Sequence, residues 1–121
     1  MDDTTVLGQD QGVAQDFPEA DWRVLREIRP RALERLCERA LGEIKEASAA
    51  ADKNFHERFL AVYKLVHERN EDIARGFDDP RRSRAFSQLA LMTSLGLIEP
   101  EEMNRFSAGV LQTLRLLLSD D

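Results

Sequence analysis

The chain has one cysteine, Cys37, in 121 residues. No internal disulfide is open to it, so a reducing, cytoplasmic setting is expected, with a bridge between two chains as the alternative. Paired zinc-binding cysteines and an HExxH helix are missing too. So are a glycine-rich phosphate loop, a nucleophile elbow, a dinucleotide fingerprint and an EF-hand loop. These absences remove each specific enzyme class without removing catalysis as such. No basic stretch followed by an apolar run opens the chain, so no secretory signal is expected. No apolar run nears the ~20 residues that a bilayer span needs, so no membrane partner is expected. No segment alternates apolar and polar residues over a useful length, so no sheet is expected.

A surplus of positive charge is also lacking. The net charge is −6, and it lies at the ends. Asp2, Asp3, Asp10 and Asp16 meet no base before Phe17, and Asp120 and Asp121 close the chain. Between them, Phe17–Ser119 carries 17 acids and 17 bases. A body that binds nucleic acid in general would show a basic excess, so that partner is not expected. The length suits one domain with a core of its own. Residues 1–16 are polar and aperiodic and are expected to be a disordered acidic tail, with 17–119 as a single helical domain. Arginine outnumbers lysine 14 to 3. With much alanine and leucine, this composition is associated with GC-rich bacterial genomes.

What the chain does have is helical periodicity between clear breaks. Asp16 and Glu19 have capping-box spacing around Pro18. Trp22, Leu25 and Ile28 then share a face, and Pro30 predicts a kink or break at Arg29. Leu33, Leu36, Cys37, Ala40, Leu41 and Ile44 form the next stripe, running into an alanine-rich end suited to a close helix crossing. Asn54 and Glu57 form a second capping box. They open a stripe of Phe55, Phe59, Val62, Tyr63, Val66, Ile73 and Phe77. Asp78-Asp79-Pro80 predicts the start of a third helix, bearing Phe86, Leu89, Ala90 and Thr93. Gly96 is expected to end it in the left-handed region. Pro100 opens a short helix, and Ser107 caps a last one over Ala108–Leu118. The fold class expected is all-α: a compact, mostly antiparallel bundle of four main helices, the first and last broken. Short connections favour antiparallel neighbours.

Two sets of residues are candidate sites. Arg75, Arg81, Arg82 and Arg84 crowd the start of the third main helix, where the dipole disfavours cations. They suit an anion or an acidic partner. Pairing with Asp78, Asp79 and acids of a neighbouring helix is the structural alternative. Leu111, Leu114, Leu117 and Leu118 belong to an apolar arc broader than one surface helix needs, which suggests self-association. His67 and Glu71, four apart, have a spacing that holds metals, with His56, Glu68 and Asp72 nearby. The set falls short of a zinc site, and no metal or cofactor is expected. Cys37 has no activating neighbour in sequence. Trp22 and Tyr63 are expected to anchor the core. A DNA-reading helix pair within Phe86–Phe106 would present Glu101 and Glu102 to phosphate, which opposes it.

Asp78-Asp79 ahead of Arg81-Arg82-Ser83, the Leu95-Gly96-Leu97 turn, and Phe106-Ser107 behind an acidic first turn carry a resemblance. Over Trp22–Leu114 the chain resembles a family of small all-helical bacterial proteins of uncharacterised function. The resemblance implies a helical fold and no activity. The function expected is a non-enzymatic cytoplasmic interaction or assembly module, self-associating or bound to a protein partner. A module binding anions or nucleic acid through the arginines is the alternative, and an enzyme or metal protein centred on His67 comes third.

Overall fold

The computed structural model describes residues 16–119. The expectation for the acidic tail therefore lies outside the described residues, apart from Asp16. The main helices are α1 (Glu19–Ser48), α2 (Phe55–Phe77), α3 (Ala85–Ser94) and α5 (Ala108–Leu118), with the single turn α4 (Pro100–Met103) between the last two. A 3₁₀ turn, Arg82–Arg84, leads into α3. No strand occurs among the described residues. The molecule is an all-α bundle in which α1 packs on α2, α2 on α3, and α3 on both α1 and α5.

The break expected at Arg29-Pro30 does not form. One helix runs through Pro30. Its buried ridge of Asp21, Leu25, Ile28, Ala32, Leu36 and Ala40 passes on the other side without interruption. Pro30 and Arg26 are both exposed, so the Arg26 carbonyl, deprived of its donor four residues on, is open to water. The Asp16 capping box is absent as well. Pro18 is the N-cap, with no side-chain bond, and its carbonyl accepts from the Trp22 amide at 2.9 Å. Glu19 turns instead to Arg82 at 2.9 Å and Arg23 at 3.4 Å.

The other helix ends follow local chemistry more closely. The Asn54 side chain accepts from the Glu57 amide at 2.8 Å, and Glu57 accepts from the Asn54 amide at 3.0 Å. Gly76 remains helical inside α2. A Cβ there would lie 3.3 Å from Leu91, so glycine lets α3 approach. Asp78 ends α2 rather than starting α3, and Gln88 donates to its carbonyl at 2.8 Å. Asp79 takes a φ of 50°, in the left-handed region that aspartate enters more readily than most residues. The third helix therefore begins only at Ala85. At its far end Gly96 has a φ of 73°, and the Leu97 amide returns to the Met92 carbonyl at 2.9 Å. This double-back closure satisfies the last carbonyls.

The core gathers on Phe17, which is fully buried and meets Phe86 edge-on at 4.8 Å and Phe106 at 6.4 Å. Leu25, Ile28, Leu36, Phe77, Leu89, Met92, Leu97, Val110 and Leu114 complete it, with Trp22 half-buried at its border. Three polar clamps close this end. Buried Asp21 accepts from the Ser107 amide at 2.7 Å and its hydroxyl at 2.8 Å. Arg35 grips Glu102 with two bonds of 2.7 and 2.9 Å and the Leu97 carbonyl at 2.7 Å. Arg39 donates to the Leu95 carbonyl at 2.6 Å, beside the negative end of α3. Along α1 this core reaches Leu36, and it resumes at Ile73 on α2. The far half of α1 and the near half of α2 form a two-helix arm beyond it.

Candidate functional site

At 3.6 residues per turn, Phe55, Phe59, Val62, Tyr63, Val66, Asn70, Ile73 and Phe77 fall on one arc of α2. The neighbouring arc carries Arg58, Ala61, Leu65, Arg69 and Asp72, all of them half-buried or buried, as is Val62 at the border between the two arcs. Charged residues thus share the joining with Ala61 and Leu65. Arg69 donates to Glu43 of α1 at 3.0 Å and to Asp72 at 2.6 Å. Those two bonds hold its guanidinium charged more firmly than usual, Glu43 contributing most. Arg75 adds a third bond to Asp72 at 3.0 Å. Arg58 donates to the Ala50 carbonyl at 2.7 Å across the tip.

The apolar arc is therefore left open. Phe55 is 83% exposed, Phe59 67%, Tyr63 66% and Val66 48%. Only Ile73 and Phe77, at the end nearest α3, join the core. The expectation that Tyr63 anchors the core is overturned, and Phe55, Phe59 and Val66 of its stripe lie outside with it. Across α1, Leu41 is 66% exposed on the same side. Between the helices runs a cleft of about 320 Å³ lined by Cys37, Leu41, Ile44, Val66 and Ile73, with Arg69 and Asn70. Ile73 also lines a second cleft of about 450 Å³, which continues past Leu33, Pro30 and Arg29. Arg29 donates there to the Phe77 carbonyl. Its Nε is buried without a partner among the described residues, and burial lowers its pKa. At the arm's tip the Arg58 guanidinium lies 5.1 Å from the Phe55 ring centroid. Tyr63 stacks on His67 at 6.5 Å.

The four arginines of the sequence cluster do not meet at one open site. Arg81 and Arg84 both turn to Asp79, at 2.9 and 3.6 Å. Arg84 also donates to the Asp78 carbonyl at 3.0 Å. Arg82 reaches the Phe17 carbonyl at 2.6 Å and Glu19 at 2.9 Å, tying the 3₁₀ turn to the start of α1. Arg75 is held by Asp72. The four leucines of α5 part company. Leu114 is buried in the chain's own core, Leu111 and Leu118 pack against that core, and Leu117 stays exposed beside Leu116. Leu114 is thus no part of a free surface, because the face of α5 that carries it covers α3. His67 approaches Glu71 at 3.4 Å, and no group of three potential metal ligands occurs among the described residues. Cys37 is half-buried in the cleft.

Periodicity missed the open face because it tells which residues share a side and not what covers them. The polar character of the neighbouring arc was the available signal. A side joined through Arg58, Arg69 and Asp72 cannot also bury Phe55, Phe59 and Tyr63. Set against protein-family models, curated proteins and solved structures, the chain matches none.

Proposed function

We propose that this chain is a non-enzymatic, cytoplasmic protein-interaction module of bacterial type, and that it docks through the outer face of the α1–α2 arm. The observation that carries this reading is one apolar side with three exposed aromatic rings. An aromatic side chain offers about 150–250 Å² when wholly covered, so at their exposures these three present about 300–550 Å². That matches the largest apolar patch of an ordinary monomer, which is commonly functional. Tyrosine and phenylalanine are also enriched at the centres of interfaces. No helix among the described residues is long and apolar enough to cross a membrane.

A double substitution, Phe55→Asp with Phe59→Asp, tests the reading. Both side chains are exposed, so the circular dichroism spectrum and the melting curve should stay close to those of the parent. Proteins retained from a cell extract by the immobilised parent chain, its own copies included, should be lost with the variant. Identical retention by the two would count against the arm as a docking face.

A further inference from the structure

We infer that the occupant of this face is a second copy of the chain, paired arm to arm about a two-fold axis to complete a four-helix bundle. The inference rests on the interaction reading and adds the partner.

Shape is the first argument. Each helix of the arm carries an apolar seam at steps of three and four, Cys37, Leu41 and Ile44 on α1 and Phe59, Val62 and Val66 on α2. That spacing is the one by which helices interlock in bundles. Two such seams side by side make a flat apolar face two helices wide. A single added helix seated in the cleft beside Cys37 would cover Leu41 and Val66, which line it, and leave in water the rings of Phe55, Phe59 and Tyr63, which do not. A second pair of helices covers both edges.

Area is the second argument. The three rings alone supply about half of the ~800 Å² that each partner contributes to a standard interface. Leu41 and Val66 add to this from the middle of the face. The surface is therefore of the size that an ordinary dimer buries.

Charge is the third. Each outer edge of the face carries both signs: Glu34, Glu38 and Lys45 along α1, and Lys64 and Glu71 along α2. A rim of one sign would repel its own copy and select a foreign partner of opposite sign. A mixed rim does neither. An isologous pairing of this kind closes on itself and yields a dimer, not a filament.

Sedimentation velocity of the full chain over a wide concentration range tests the inference. The parent should reach twice the monomer mass. Phe59→Asp and the milder Phe59→Ser should each weaken association by about 30-fold or more, the loss typical of a central aromatic anchor. Both variants should keep the parent's helical spectrum. Leu117→Asp, on the separate α5 patch, should leave the dimer intact. A flexible bis-maleimide should join two parent chains through Cys37, the only thiol, and fail with Phe59→Asp. A parent that stays monomeric throughout overturns the inference, and so does a dimer that Leu117→Asp dissolves and Phe59→Asp does not. If the parent is monomeric but arm variants still lose a protein from the extract, the second copy is excluded and the docking face stands. If arm variants change neither, both fall.

Discussion

Glu102 is a buried carboxylate held chiefly by Arg35, with Arg31 3.7 Å away. The two bonds from Arg35 hold its pKa below the ordinary value of 4.5, against the opposing effect of burial. A carboxylate depressed in this way stabilises the fold at any pH above its unfolded value. The contribution fades as pH falls below 4.5 toward the folded value. Glu102→Gln should cost about 1.5–3 kcal/mol at pH 7, the worth of hydrogen bonds to a charged group. Urea unfolding of the two proteins should converge as the solution is acidified from pH 5 to below pH 3. Asp21 forms another clamp on the same core. Its removal in Asp21→Ala strands the Ser107 amide and should cost about 1–3 kcal/mol in the same measurement. Gly96→Ala forces a side chain into the left-handed region at a φ of 73°, which should cost about 1–2 kcal/mol although no atom crowds the position. Each of these residues acts at a helix end, Asp21 through Ser107, and two of the signals were legible beforehand. Gly96 and Ser107 declare themselves through local chemistry. The Asp21 and Arg35 clamps were not legible, because their partners lie 86 and 67 residues away.

At the scale of the element, α1 shows how a buried ridge overrules a local breaker. Pro30 costs α1 one hydrogen bond on its wet side, while Ile28 and Ala32 remain in the core on the other. Pro30→Ala restores the donor and should raise stability by about 1–3 kcal/mol, seen as a higher melting temperature. The same reasoning explains the late start of α3. Asp78-Asp79-Pro80 has the look of a helix opening, yet Asp78 closes α2 and Asp79 turns left-handed. The arginines behind them are drawn to acceptors on either side of this corner, Asp79 on one and Phe17 with Glu19 on the other. A cluster that suggests an anion site is, within the described chain, a set of ties across a turn.

Taken whole, the molecule divides into a core end and an arm, and only the core end buries aromatic rings. All-α character and four main helices were legible from period and punctuation. The division was not, because an amphipathic stripe has the same spacing whether its cover comes from its own chain or from another. Local opening follows buried apolar contact, so amide exchange should report the division. In dilute solution, backbone amides of residues 41–66 should exchange faster than those of α3 and of residues 21–36. Raising the protein concentration into the range of association should slow the arm and leave the core end unchanged. Uniform protection along α1 at low concentration would contradict the division.

Because the apolar centre stops at Leu36 and Ile73, the reach of the hairpin is not set by the globe beneath it. Adding one seven-residue repeat to each helix, or taking one away, would leave every clamp around Phe17 in place. The length of the hairpin is then a dimension that selection can adjust to whatever it grips, without renegotiating how the rest of the chain folds.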